Sequence, residues 1–182
     1  MNNFNFVAYL KPKTMKPLVS IIMGSTSDLP IMEKAAIFLN NNKIAFEMNA
    51  LSAHRSPAEV EIFAKNAASR GVKIIIAGAG MAAHLPGVIA AFTPIPVIGV
   101  PINATLEGID SLLAIVQMPP GIPVATVGIN AALNAGILAA QMLGMNDKAI
   151  FDRTVTYKES LKEKIVKANE DLSKLKYDFK TN

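Results

Sequence analysis

No cysteine occurs in the 182 residues, which excludes both a disulfide framework and a thiolate metal site. That absence suits a reducing compartment. Charge is scarce as well. Asp, Glu, Lys and Arg make up 18% of the chain against 51% hydrophobic residues, so a disordered chain is excluded and one ordinary domain can bury a real core. Long apolar runs are missing too. The opening stretch MNNFNFVAYLKPKTMKP lacks the unbroken apolar segment of a signal peptide, and residues 1–17 are expected to form a loose extension. The most apolar region, from Ile74 onward, is interrupted by His84, Pro86, Pro94, Pro96 and Pro101. A membrane span needs about 20 mostly apolar residues in one helix. A cytoplasmic protein with no membrane partner is expected.

The net charge of +4 is mild. From Phe151 to Asn182, eight Lys/Arg interleave with six Asp/Glu, and Glu163/Lys167 and Glu170/Lys174 stand at helical i,i+4 spacing. That pattern describes a solvated helix, not a basic stripe that tracks phosphates, so nucleic acid is not expected as a partner. Residues 74–146 carry only two charged side chains, Glu107 and Asp110. Surface helices of a monomer need polar outer faces. The segment Ala131–Leu143 (AALNAGILAAQML) is apolar nearly all round, so it is expected to form the interface of a homo-oligomer. Ala135 and Ala139 would lie in that contact.

Short apolar runs alternate with helical patterns. Strands are expected at Leu18–Met23, Lys43–Ala50, Lys73–Ala77, Pro96–Val100 and Pro123–Val127. Helices are expected at Pro30–Asn41, Pro57–Arg70 with Gly71 as its stop, Leu85–Phe92, Leu106–Gln117, Asn130–Leu143 and Lys148–Leu175. Five strands each followed by a helix imply an α/β domain with a doubly wound parallel sheet over residues 18–146, followed by an added C-terminal helix over 147–182. That helix packs on the domain or on a neighbouring subunit.

Ligands of such sheets bind beyond the carboxyl ends of the strands. The rule selects three loops, Gly24–Asp28, Ser52–Pro57 and Gly78–Gly87. In GSTSD, Ser25 and Ser27 offer hydroxyls beside the free amides of a helix start, a plausible phosphate cradle, although N-capping by Ser27 or Asp28 explains the same residues. Asp28 suits ribose hydroxyls. In SAHRSP, Arg55 offers planar recognition of phosphate, and His54 is the side chain suited to proton transfer near neutral pH. An ordinary surface His beside a surface Arg is the plainer reading of that loop alone. In GAGMAAHLPG nearly every side chain is small, so backbone can approach a ligand closely, or pack helix on sheet tightly. The second histidine, His84, lies here. Two histidines with only Asp28 among these loops do not make a zinc site, so no metal is expected. The G-x-S-x-G elbow of a serine hydrolase is absent.

GSTSD, SAHR, GAGMAAHLPG, PVIGVP and SLLAIVQMPPGIPVAT, in that order, resemble the class I N5-carboxyaminoimidazole ribonucleotide mutases throughout residues 18–143. Arg55 after the SAH histidine and the AAHLPG stretch favour this class over a class II-like carboxylase that uses free carbon dioxide. The resemblance implies a flavodoxin-like, three-layer domain assembled as an octamer, an isomerase of purine biosynthesis without metal or cofactor. It implies that Ser25, Ser27 and Arg55 contact the substrate phosphate region, that Asp28 contacts the ribose and that Ser52 joins the binding loop. Gly78, Ala79, Gly80 and His84 would line the imidazole and carboxylate pocket. His54 would carry the proton while the carbamate leaves as carbon dioxide and returns on ring carbon 4. Met81 stands where such sequences commonly have glycine.

Overall fold

The computed structural model describes residues 15–182, and residues 1–14 of the expected N-terminal extension lie outside the described residues. Five strands form one parallel sheet: β1 (Val19–Met23), β2 (Phe46–Ala50), β3 (Ile74–Gly80), β4 (Val97–Ile102) and β5 (Ala125–Thr126). Their spatial order is β2-β1-β3-β4-β5. The crossovers contain α1 (Leu29–Asn41), α2 (Pro57–Lys65), α3 (Ala67–Arg70), α4 (Leu85–Phe92) and α5 (Ile109–Val116). Two further helices, α6 (Ala132–Gly144) and α7 (Lys148–Ser173), follow β5.

The layers follow from period-two alternation in the strands. Val19, Ile21, Ile74, Ile76, Ile98 and Val100 join α1 and α6 on one face of the sheet. Ile22, Ile75, Ala77 and Val97 join the residues of α2 to α5 on the other. Both faces are therefore apolar, as a sheet covered on both sides requires. Each fully buried aliphatic side chain contributes about 1.5–3 kcal/mol by leaving water. This is the flavodoxin-like, three-layer architecture expected from the sequence.

Local details differ from the sequence reading. Strand β3 runs through Gly80 because Gly78 and Gly80 continue the ladder to β4, opposite Val100 and Ile102. The expected helix over 57–70 divides at Asn66, whose ψ of 0° ends the first segment, and Gly71 closes the second with φ 101°. The helix expected from Leu106 begins instead at Ile109, after a turn in which Leu106, Glu107 and Gly108 all have positive φ. Strand β5 is only two residues long.

One correction is larger. Ala135 and Ala139, expected at a subunit interface, are fully buried inside this single chain. Helix α6 lies against α1, where a Cβ on Gly136 would come within 3.3 Å of the Ala35 backbone. Its sheet side covers β3 and β4, and α7 covers it further. The small residues permit close approach of helices within the subunit, so α6 needs no second chain to explain its composition.

Candidate active site

The topological switch point lies where β1 is flanked by β2 on one side and β3 on the other. A cavity of about 610 Å³ opens there, at the carboxyl rim. Its lining draws on Gly24, Ser25, Ser27 and Asp28 after β1, on Ser52, His54 and Arg55 after β2, and on Ala79, Gly80 and His84 around the end of β3. The three loops chosen from the sequence therefore do converge. A second cavity of about 670 Å³ sits at the opposite rim, among Thr93–Val97 and Gly121–Pro123, and holds no titratable side chain.

The loop after β2 is a closed turn. The Ser52 amide donates to Ser56 Oγ at 3.0 Å, and that hydroxyl donates back to the Ser52 carbonyl at 3.1 Å. Pro57 then starts α2, which fixes where the loop ends. Within the turn, Ser52 Oγ accepts from the Arg55 amide at 3.3 Å and from Arg55 Nε at 3.4 Å. Arg55 Nη2 donates to the Gly24 carbonyl at 3.3 Å, linking the second loop to the first. The guanidinium is thus aimed across the cradle, with donors left for an anion.

In the first loop, Ser25 Oγ caps a short turn by accepting from the Ser27 amide at 3.3 Å, and Ser27 Oγ donates to Asp28 Oδ1 at 3.5 Å. The N-capping role weighed from the sequence thus falls to Ser25. Burial pushes the Asp28 carboxyl above the usual carboxylate range, and hydrogen bonds from Ser25 and Ser27 offset part of that rise.

The two histidines meet. His54 Nε2 lies 2.7 Å from His84 Nδ1, with the rings edge to face at 84°. One nitrogen must donate and the other accept, so the contact holds one proton between two bases. If both rings were fully protonated, two N–H groups would point at each other and the contact would open. His84 sits immediately before α4, whose first turn carries Pro86. The Met81–His84 turn is tied by hydrogen bonds from the Ala83 amide to the Met81 carbonyl and from the His84 amide to the Ala82 carbonyl, both 2.8 Å.

One residue chosen from the sequence is placed elsewhere. Gly78 does not line the cavity. It is buried in β3, where a Cβ would stand 2.4 Å from Met32 Sδ, so its lack of a side chain serves the packing of α1 on the sheet. Residues not singled out from the sequence do line the cavity: Ala53, Ala82, Leu85 and Ala104. The carboxyl-end rule, applied to the loop after β4 as well, points to Ala104. The His54–His84 contact joins residues 30 apart in the chain and has no local sequence signal.

Fold and cavity define a flavodoxin-like protein with a small-molecule site at the carboxyl rim of its sheet. The sequence profile of the family described as AIRC, AIR carboxylase, matches residues 18–164, and the chain belongs to that family. It is 52% identical over 162 residues to the N5-carboxyaminoimidazole ribonucleotide mutase of Thermotoga maritima, covering 88% of this chain and 95% of that protein. The mutase of Pyrococcus abyssi is 54% identical over 151 residues, covering 82% and 87% respectively. The phosphoribosylaminoimidazole carboxylase of Candida glabrata is 49% identical over 164 residues, but this chain, 90% covered, spans only 29% of that longer protein. The crystal structure of Treponema denticola PurE superposes with a TM-score of 0.78 at 34% identity, over 88% of this chain and 99% of that one.

Proposed function

We propose that this chain is an N5-carboxyaminoimidazole ribonucleotide mutase of purine biosynthesis, an isomerase that moves a carboxylate from the exocyclic nitrogen to ring carbon 4 of its substrate. The observation that carries the reading is the arrangement in one cavity of a hydrogen-bonded histidine pair beside a guanidinium and serine hydroxyls. A site that breaks a carbamate and makes a carbon–carbon bond needs a proton donor and acceptor, an anchor for phosphate and walls that retain carbon dioxide. It does not need a metal or a cofactor.

The steps balance on one proton. His54 gives a proton to the nitrogen as its bond to the carboxylate breaks, leaving aminoimidazole ribonucleotide and carbon dioxide. Ring carbon 4 attacks the trapped carbon dioxide, and His54 recovers a proton as the carbon 4 hydrogen leaves. Holding both fragments together replaces a bimolecular encounter. Arg55, Ser25 and Ser27 hold the phosphate, Ser52 orients Arg55, Asp28 meets the ribose, and Ala79, Gly80 and His84 surround the base and carboxylate. Direct carboxylation by free carbon dioxide, the alternative reading, is not favoured by relatives that match nearly end to end and are named mutases. The deciding assay is formation of 4-carboxyaminoimidazole ribonucleotide from the N5-carbamate without ATP or added bicarbonate. Product formation only from aminoimidazole ribonucleotide and bicarbonate would overturn the mutase reading.

The reading extends to a cytoplasmic homo-oligomer, with an octamer suggested by the family resemblance. No helix among the described residues is long and apolar enough to cross a membrane. The surface that supports assembly is not α6. Ile109, Leu113 and Val116 recur at helical spacing on α5 and are about half exposed, and Leu106 in the turn before the helix is 75% exposed, together an apolar patch that water does not favour. Residues 18–146 form the catalytic unit in this reading, and α7, exposed beyond Tyr157, packs on a neighbouring subunit.

A further inference from the structure

Met81 is a cavity residue whose backbone, at φ 55°, adopts the left-handed conformation that side chains rarely take. Glycine would hold that turn without strain. A methionine kept there needs a use for its side chain, because strained positions persist where the surroundings fix them and cluster at working sites. The cavity supplies such a use. Its apolar lining consists largely of alanines, Ala53, Ala79, Ala82 and Ala104, and its two long apolar side chains are Leu85 and Met81. Leu85 is buried in the core, whereas Met81 is 57% exposed. Met81 is therefore the long, flexible apolar side chain at this cavity that is free to lie over a ligand.

We propose that Met81 is a partition-determining residue: its side chain covers the carboxylate pocket and retains the carbon dioxide released from the substrate. This rests on the mutase reading. Carbon dioxide is uncharged and offers no donor, so hydrogen-bonding groups that hold the carbamate hold the freed gas poorly. An apolar wall retains it better. When the gas escapes, the carbamate has lost carbon dioxide and its nitrogen has gained one proton, so the turnover ends as aminoimidazole ribonucleotide. When it stays, carbon 4 captures it.

The experiment uses the full chain with N5-carboxyaminoimidazole ribonucleotide, and chromatography counts aminoimidazole ribonucleotide formed per 4-carboxyaminoimidazole ribonucleotide, less the uncatalysed decay. Met81→Gly removes the side chain and relaxes the backbone, so the variant folds. Met81→Ala removes the side chain and keeps the backbone conformation, and Met81→Leu keeps an apolar cover. The escaped fraction should rise roughly fourfold in the Gly and Ala variants, the scale set by about one methylene of apolar contact, and stay near the parent value in the Leu variant. A parental ratio in both the Gly and Ala variants overturns the proposal. A rise in the Gly variant alone also overturns it, since that would trace the leak to loop freedom. Failure of the parent to convert the N5-carbamate at all would instead overturn the mutase reading.

Discussion

Because His54 and His84 share one proton at 2.7 Å, their contributions to turnover should not be independent. Replacing His54 by Asn removes the proposed proton carrier while keeping a polar side chain of similar size. General acid–base catalysis is worth about 10²–10⁴-fold, so turnover should fall by at least about a hundredfold. Replacing His84 by Ala removes the partner that holds the His54 ring and its proton, and also a side chain of the cavity wall, whose effect on binding is offset at saturating substrate. A hydrogen bond involving a charged group contributes about 1.5–3 kcal/mol, which corresponds to roughly a 10- to 150-fold loss. In the double variant the partner has nothing left to position, so turnover should match His54→Asn alone, a coupling the size of the His84→Ala effect. The assay is product formation from the N5-carbamate at saturating substrate, with thermal midpoints recorded for all three variants. His84→Gln, which can still donate or accept, should recover part of the loss. Multiplying single losses in the double variant would refute a shared proton and leave two histidines acting separately.

Arg55→Ala should raise KM by more than it lowers kcat, and inorganic phosphate should compete with substrate in the parent; a pure kcat loss would place the phosphate elsewhere. Asp28→Asn should weaken substrate binding yet raise Tm at neutral pH. Burial lifts the Asp28 carboxyl above its usual 3.8, so the native chain binds that proton more tightly than the unfolded chain, and the folded state loses stability as pH rises through that region. The Tm advantage of the Asn variant should therefore be absent below pH 3.8, grow with rising pH and level off above the raised native value, and a gain confined to acid pH would contradict this. Gly78→Ala should cost about 1–3 kcal/mol through overpacking against Met32, read as a lower Tm in a heat scan, with Met32→Ala relieving the clash in the double variant. Leu113→Glu should lower the mass seen by light scattering toward the 19.4 kDa of one chain while leaving the fold intact, whereas Ala135→Glu should prevent folding.

The five strands and the helices between them were legible because short apolar runs and 3.6-residue periodicity are local signals, whereas the order β2-β1-β3-β4-β5 rests on pairings that no local window contains. The three binding loops were legible for a related reason: a parallel sheet puts every β-to-α turn on the same rim. The composition of GAGMAAHLPG misled in one respect. Its glycines look like loop, but Gly78 and Gly80 have partners on β4 that no local window contains. The charge map misled about α6. An uncharged helix must be covered, yet charge cannot say whether the cover is α1 of the same chain or a second subunit. Nor could any local pattern show that the two histidines touch, since their contact depends on how the β2 and β3 loops fold toward one another.

Met32 Sδ stands 2.4 Å from the place a Cβ at Gly78 would take, too close for both to fit. Helix α1 begins directly after the Ser25–Asp28 turn, and β3 leads directly into the turn before His84. The two halves of the cavity are thus gauged against each other by a single sulfur seated on a bare backbone. Positions 32 and 78 should therefore behave as one inherited unit: a lineage that acquires a side chain at 78 must trim residue 32, or lose the spacing between the Ser25–Asp28 loop and the two imidazoles.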